Sequence, residues 1–184
     1  MPEPSALASA AEVVRFWSDA GPQRWFRKDD AFDRAFRDRF LPTHEAAARA
    51  ALEGWRRSAE GALALLVLLD QFPRNAFRGS ARVYATDALA RLVAAGAVAA
   101  GQREQVPAPL RPFFHLPFTH SEWLPDQERA VVLAQDTDAE TLRWARHHRD
   151  VVARFGRFPH RNALLGRIST AQERAFLEEG GFAG

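Results

Sequence analysis

Apolar residues recur at helical spacing along most of the chain, and this periodicity constrains the fold more than any other feature. Phe32, Phe36 and Phe40 repeat every four residues, which places them on one face of a helix. Residues 58–72 are apolar nearly all round, as expected of a helix buried at the centre of a bundle. No segment of useful length shows the two-residue alternation of a strand. The sequence therefore predicts an all-α fold of about eight helices.

Capping residues, prolines and glycines indicate where these helices begin and end. We expect Pro42 to separate the helix of the three phenylalanines from the helix that follows it. No linker suggests a second domain, so residues 1–184 are predicted to form a single helical domain, either a compact bundle or a solenoid of helix pairs. The predicted helices cover residues 5–16, 30–41, 43–52, 58–72, 80–99, 125–135, 138–155 and 170–179.

Composition restricts the location and the chemistry of the protein. Cysteine is absent, which excludes disulfide scaffolds, zinc ribbons and cysteine nucleophiles. The N-terminal residues lack the basic and long apolar regions of a secretory signal. The most apolar run, residues 62–69, is far shorter than the roughly 20 residues that a membrane helix requires. We therefore expect a cytoplasmic protein with no membrane partner.

Positive charge is concentrated in one part of the chain. The net charge is only +2, which does not favour a nucleic-acid partner. Residues 143–168, however, contain seven arginines and a single acidic residue, Asp150. Such a segment predicts a surface that faces an anion. The alternative is that these arginines pair with acidic side chains from other helices.

Two segments of similar sequence each follow a predicted helix. DQFPRN (residues 70–75) is echoed by GRFPHRN (residues 156–162). Because a residue before proline is disfavoured in the α region, each helix is predicted to end at or before the phenylalanine that precedes the proline. We expect the polar residues of the two segments to lie at neighbouring helix ends. The candidate ligand-binding residues are Asp70, Arg74, Asn75, Arg157, His160, Arg161 and Asn162 of these segments, and His115 of the aromatic segment that lies between them in the sequence.

The second of these segments is the strongest candidate for a ligand site. Arg157 and Arg161 can donate charge-assisted hydrogen bonds to a carboxylate or phosphate, and Asn162 can cap the following helix. The alternative is structural: the same arginines pair with Asp70 or Glu122 and hold helix ends together.

Two pairs of side chains are candidates for proton transfer. His120 and Glu122 lie in an aromatic segment broken by prolines, and His148 lies near Asp150 in a predicted helix. The alternatives are buried histidines that only complete hydrogen bonds, and surface ion pairs of Asp150. The histidine spacings lack the patterns of helical metal sites, and no phosphate-binding glycine loop or serine-hydrolase motif is present. No metal or cofactor is predicted.

Four ordered motifs resemble a bacterial family known as domain of unknown function 924. They are WFRKDDAFD (25–33), LLDQFPRNAFRG (68–79), FFHLPFTHSE (113–122) and HRDVVARFGRFPHRNALLGR (148–167). The resemblance covers nearly the whole chain and implies an all-helical fold similar to tetratricopeptide repeats. It implies no activity, because the family is named for lacking one.

Three hypotheses about function follow from these observations. The first is a helical binding protein whose polar cleft accepts an anionic small molecule or a peptide carboxylate. The second is a small hydrolase or isomerase that uses a histidine and a carboxylate as an acid–base pair. The third is a structural or interaction protein in which the motifs only lock helix ends. The sequence does not define the oligomeric state.

Overall fold

A computed structural model of the protein describes residues 7–182, and within them the chain forms helices and turns but no strand. This confirms the predicted all-α class. The described residues divide into two units, one of residues 7–78 and 82–117 and the other of residues 79–81 and 118–182. The single-domain organisation stays a prediction. No helix among residues 7–182 is both long and apolar enough to cross a membrane.

Six α-helices of the first unit precede residues 107–117, a segment that contains four prolines. They are α1 (Ala10–Ala20), α2 (Pro22–Trp25), α3 (Asp30–Ala48), α4 (Ala59–Leu66), α5 (Phe72–Ala76) and α6 (Asp87–Ala99). The short α7 (Leu116–Thr119) then leads to α8 (Leu124–Ala134), α9 (Ala139–Phe155) and α10 (Ala171–Glu178).

Two of the predicted helices begin later than expected. The first begins at Ala10 instead of residue 5, since Ser9 caps it; residues 5 and 6 lie outside the described residues. The helix predicted from residue 80 begins at Asp87, and the residues before it form a short 3-10 turn, Ala81–Tyr84.

Aromatic side chains fill the core of the first unit. Trp17 is fully buried, with its ring centroid 6.2 Å from Trp25 and 5.4 Å from Phe113. The indole N–H of Trp25 donates to the backbone oxygen of Trp17 at 2.7 Å. Phe36 and Phe40, from the four-residue repeat, are also fully buried. The repeat therefore forms the inner face of α3, as its spacing predicts.

Helix α3 continues through Pro42, so the prediction of two separate helices here is wrong. Asp29 caps α3 at its start, and the helix runs on to Ala48. Proline removes one backbone hydrogen bond from a helix and crowds the preceding turn. Phe40 and Thr43, close to Pro42 on either side, are buried, and this packing offsets the local cost.

The helix predicted to end at Phe72 also continues, because the chain widens into a π-helical turn (Val67–Gln71) just before it. Phe72 has helical dihedrals (φ −53°, ψ −47°), and its N–H donates to the oxygen of Val67, five residues earlier. The fully buried Phe72 ring packs 5.1 Å from Phe36. The prediction that the helix ends before Pro73 is therefore wrong, and α5 runs to Ala76.

Side chains from other helices complete the hydrogen bonds of the π-turn. Pro73 has no N–H, so it cannot donate to the oxygen of Leu69 or to that of Leu68. The ring nitrogen Nδ1 of His44 donates to the Leu68 oxygen at 2.9 Å. The hydroxyl of Thr86 donates to the Leu69 oxygen. Residues from α3 and from the start of α6 therefore hold this turn in place.

The second unit is built around α8 and α9, which pack against each other. Asp138 caps the start of α9, and Gly156 ends it in the left-handed region (φ 69°). Phe158, before Pro159, is extended (φ −91°, ψ 108°), so this helix ends as predicted. A hydrophobic core of the unit consists of Val151, Val152, Phe155, Phe158, Phe176 and Phe182.

Candidate functional site

In the first unit, the predicted residues Asp70 and Arg74 pair with each other. Asp70 lies inside the π-turn with 1% of its side chain exposed, and Arg74 Nη1 is 3.2 Å from its Oδ1. The guanidinium of Arg74 also donates to both carboxylate oxygens of Asp87, at 3.0 and 3.2 Å. Gln71 donates to the other oxygen of Asp70 at 2.6 Å. Arg74 therefore ties the π-turn to α6, which favours the structural alternative for these residues.

Asn75 has a similar tie to α3. Its side-chain amide donates to Asp33 Oδ1 at 2.7 Å, and Arg78 Nε donates to Asp33 Oδ2 at the same distance. Asp33 is buried, and it is one of the residues that sequence reasoning did not single out. The predicted His115 also lies in the first unit, directly after a 3-10 segment, with 1% of its surface exposed.

In the second unit, the loop that follows α9 holds the carboxylate of Glu122. Arg167 donates to its two oxygens at 2.6 and 2.9 Å, and the backbone N–H of Phe158 donates at 2.8 Å. Burial opposes ionisation, but these hydrogen bonds lower the pKa of Glu122. A carboxylate held and ionised in this way is poorly suited to act as a general acid together with His120.

Arg157 pairs with Glu173, and not with Asp70 or Glu122 as the structural alternative supposed. Its guanidinium donates to the two carboxylate oxygens of Glu173 at 2.6 and 2.9 Å. The Arg157 hydrogen bonds lower the pKa of Glu173 to about 2, so this carboxylate stays ionised. Arg157 also donates to the backbone oxygen of Ile168 at 2.9 Å. The side chain joins α9, the loop and α10.

Asn162 serves the same junction. Its amide donates to Ser169 Oγ at 3.0 Å and to Glu173 Oε2 at 3.4 Å, while Thr170 caps α10. The expectation that the Asn162 side chain caps the next helix is therefore wrong, because eight residues of loop separate Asn162 from α10.

Three histidines of the second unit gather around the ring of Phe182. The ring centroids of His148, His160 and His147 lie 4.4, 5.0 and 5.5 Å from that of Phe182. Trp144 lies 6.3 Å from it. The structure thus places the predicted residues His148 and His160 against one aromatic ring, in what we call the histidine cluster (His147, His148 and His160).

Two members of the histidine cluster are neutral at physiological pH. Burial lowers the pKa of His148 to about 3, and its Nδ1 donates to the backbone oxygen of Trp144 at 2.7 Å. Burial and the positive charge of Arg161 lower the pKa of His160 to about 4. The Arg161 guanidinium itself lies 4.5 Å above the ring of Phe158. Histidines with such low pKa values are weak general bases near neutral pH.

The structure does not bring His148 and Asp150 together. Asp150 is exposed and accepts a hydrogen bond from Arg149 at 2.7 Å. Residues two apart on a helix point about 200° from each other, which separates the two side chains. His120, His147 and Arg161 are close enough to His148 for their positive charges to disfavour its protonation.

An open groove runs along the exposed face of α9. Its volume is about 390 Å³, within the range of small-molecule sites. Arg143 and Arg146 line the groove together with His147, which also contacts Phe182, and with Asp150. We call this surface the α9 groove. Within residues 7–182, the side chain of Arg146 makes no ion pair and no hydrogen bond.

Arg143 is held only loosely in the α9 groove. Its guanidinium is 3.5 Å from Glu140 in a pair whose side chains are more than 70% exposed, and it lies 5.5 Å above the ring of Trp144. Exposed pairs of this kind contribute little energy, so Arg143 can turn toward a ligand.

Several residues that shape these sites were not among the candidates predicted from the sequence. Phe182 and Glu173 lie beyond the C-terminal end of the motif that they contact, and the structure shows them to be its partners. Arg146 lay within the predicted anion-facing segment, although it was not singled out. Among residues 7–182 no group of three histidine or acidic side chains is positioned to hold a metal ion.

A family model described as "Bacterial protein of unknown function (DUF924)" matches residues 13–181. The chain belongs to this family. The match covers most of the sequence, including all four motifs, and so confirms the resemblance. The family description assigns no activity, and the function of the chain is therefore unknown.

A solved structure of another bacterial protein is very similar. It is titled "Structure of Protein of Unknown Function ATU0120 from Agrobacterium tumefaciens", and it is 54% identical in sequence. The similarity covers 93% of this chain and 97% of that chain, with a TM-score of 0.91. No curated protein matches the chain.

Proposed function

We propose that the protein binds an anionic small molecule or a peptide carboxylate in the α9 groove. The observation that carries this proposal is the guanidinium of Arg146, which lines an open groove and has no partner within residues 7–182. An arginine side chain presents donors in a planar fork that matches a carboxylate or phosphate.

The position of the second arginine supports the same ligand chemistry. Arg143 and Arg146 are three residues apart on α9, so their side chains lie side by side on one face of the helix. Asp150, the acidic residue of the groove, is paired with Arg149, which reduces its repulsion of an anion. His147 adds a polar side chain to the groove and is also a member of the histidine cluster, where its ring contacts that of His148.

The hypotheses of an acid–base enzyme and of a purely structural protein receive less support. For proton transfer, Glu122 is held by Arg167, and His148 has a pKa of about 3. A structural role accounts well for Arg74, Asn75 and Arg157, which are all tied to acidic side chains. It does not account for two arginines that share an open groove.

Thermal unfolding of the full chain with small probes tests the proposal. Inorganic phosphate or N-acetylglycine is expected to raise the melting temperature, because a ligand that binds only the folded state stabilises it. N-acetylglycinamide, which lacks the carboxylate, is expected to leave it unchanged. Arg143→Ala and Arg146→Ala each weaken binding about tenfold or more, since a charge-assisted hydrogen bond contributes about 1.5–3 kcal/mol.

Arg37→Ala is the matched control. Arg37 is an exposed arginine of α3 that makes no ion pair or side-chain hydrogen bond within residues 7–182, so its loss removes the same charge elsewhere. Binding in this variant should equal that of the wild type. Failure of both anions to stabilise the wild type, or an undiminished effect in Arg146→Ala, contradicts the proposal.

Two further expectations concern the location of the protein and the arrangement of its helices. We infer that the protein acts in the cytoplasm and that its helices are arranged in a manner similar to tetratricopeptide repeats. The pairing of α8 with α9 supports the second expectation, because helix pairs are the unit of such repeats. Fractionation of cells that express the protein tests the first.

A further inference from the structure

A second pocket, in the first unit, lies beside the π-turn and is separate from every residue considered above as a ligand-binding candidate. Its volume is about 370 Å³. Both side chains that hold the carbonyls of the π-turn line it, together with three charged residues and one aromatic ring. Its main residues are His44, Glu45, Arg49, Phe77, Arg82 and Thr86.

His44 places a hydrogen-bond acceptor in this pocket. Only 5% of the residue is exposed, and its ring stacks on Phe72 with centroids 4.6 Å apart. A carbonyl oxygen can only accept, so Nδ1 donates to Leu68 and carries the ring hydrogen. Burial lowers the pKa of His44, so the ring is neutral and Nε2 is an acceptor. Within residues 7–182 this nitrogen has no hydrogen-bond partner.

Two further acceptors line the same pocket. The hydroxyl of Thr86 gives its hydrogen to Leu69, which leaves its oxygen free to accept. Glu45 is exposed and makes no ion pair or side-chain hydrogen bond within the described part of the chain. His44 Nε2, Thr86 Oγ1 and the Glu45 carboxylate are therefore three acceptors, the number that an ammonium group can satisfy.

Positive charge lines the pocket as well. Arg49 follows Glu45 by one helical turn, yet within residues 7–182 its side chain makes no ion pair and no hydrogen bond. The guanidinium of Arg82 lies 3.9 Å above the ring of Phe77. The carboxylate of Glu45 and the guanidinium of Arg49 therefore lie one helical turn apart without pairing. Such an arrangement fits a ligand that carries one positive and one negative charge.

We propose that this pocket binds a small zwitterion of the free α-amino acid class. The ammonium group donates to His44, Thr86 and Glu45, and the carboxylate accepts from Arg49 and Arg82. The ring of Phe77 provides an apolar wall for the remainder of the ligand. The proposal is independent of the α9 groove, which belongs to the other unit.

Isothermal titration calorimetry of the full chain with each of the twenty L-amino acids tests this assignment. At least one amino acid should bind. The amide of that amino acid, which lacks the carboxylate, and its N-acetyl derivative, which lacks the ammonium, should each bind at least about tenfold more weakly. Absence of binding by all twenty, or derivatives that bind as tightly as the free amino acid, overturns the proposal.

Variants on the exposed side of the pocket locate the binding site. Glu45→Gln and Arg49→Ala should each weaken binding about tenfold or more without loss of the fold, because both side chains are exposed. Asp38→Asn and Arg34→Ala are matched controls on the same helix, since neither side chain has a partner within residues 7–182. Binding that persists in Glu45→Gln and Arg49→Ala also overturns the proposal.

The α9 groove variant separates this result from the proposed function. Arg146→Ala should leave unchanged the part of amino-acid binding that is lost on N-acetylation, and Arg49→Ala should leave the stabilisation by N-acetylglycine unchanged. Each pocket can therefore fail its test while the other passes.

Discussion

Several polar residues of the motifs are held by partners that lie far away in the sequence. Glu122 pairs with Arg167, 45 residues later, and Asn75 pairs with Asp33, 42 residues earlier. A buried carboxylate needs such partners, so their existence follows from the sequence once burial is assumed. Their identity does not, because it depends on how the helices pack. This is why Glu173 was not predicted as the partner of Arg157.

The histidine cluster leads to a prediction at the scale of single residues. The unfolded chain takes up a proton on a histidine near pH 6.5, whereas His148 in the folded protein does so only near pH 3. When folding lowers the pKa of a histidine, the protein is stabilised at pH values above the pKa of the unfolded chain. This stabilisation is lost as the pH falls toward the pKa of the folded protein. The free energy of unfolding should therefore decrease between pH 6.5 and pH 3.

Nuclear magnetic resonance of the imidazole groups checks this prediction directly. The resonances of His148 and His160 should show no titration between pH 7 and pH 5, and His148→Gln should have a flatter stability profile over this range. A midpoint near pH 6.5 for His148 is the result that this account does not allow.

Glu173 gives a prediction for more acidic solutions. Its pKa of about 2 is below the usual value of 4.5, so its contribution to stability is complete above pH 4.5 and disappears as the pH falls through 2. Urea unfolding as a function of pH should show a smaller loss in Glu173→Gln than in the wild type between pH 4.5 and 2. Equal losses in the two proteins would mean that the pair with Arg157 does not form.

At the scale of secondary-structure elements, local rules predicted the helix ends that depend on capping. Asp138 and Thr170 begin α9 and α10 as expected, and the glycine after α9 ends it. The same rules failed at Pro42 and at Phe72. Pro42 and Pro73 each interrupt a backbone hydrogen bond, but Phe40, Thr43 and Phe72 beside them are buried, and tertiary packing outweighs the local preference there.

The π-turn provides a prediction at this scale. Thr86→Val should lower the free energy of unfolding by about 1–3 kcal/mol, because it leaves the buried oxygen of Leu69 without its side-chain donor. Thr86→Ser keeps the hydroxyl and should retain most of the stability. Chemical denaturation of the two variants compares them, and equal stability of Thr86→Val and the wild type would exclude this role of the hydroxyl.

At the scale of the whole molecule, the all-helical class followed from periodicity alone. The convergence of the two Phe-Pro segments stays a prediction, since they belong to different units. The concentration of arginines in residues 143–168 indicated where an anion would bind, and the α9 groove lies within that segment. Which of the seven arginines face the groove required the structure: Arg143 and Arg146 line it. The other five each contact a carboxylate or an aromatic ring.

Salt dependence is a prediction that belongs to this scale. If phosphate binds through exposed arginines, its affinity should fall as the concentration of sodium chloride rises. Dissolved ions screen the attraction between exposed charges, with a screening length of about 10 Å at 0.1 M salt. Titrations of phosphate at low and high salt measure the effect. An affinity that does not change with salt contradicts binding at an exposed groove.

Nuclear magnetic resonance of the arginine side chains tests most directly whether the α9 groove binds an anion. With arginine labelled by ¹⁵N, addition of N-acetylglycine should move the side-chain Nε–H resonance of Arg146, while that of Arg37 stays in place. N-acetylglycinamide, which lacks the carboxylate, should cause no such movement. A resonance of Arg146 that is unaffected by the carboxylate, or that moves no more than that of Arg37, would contradict the assignment of the α9 groove as an anion site.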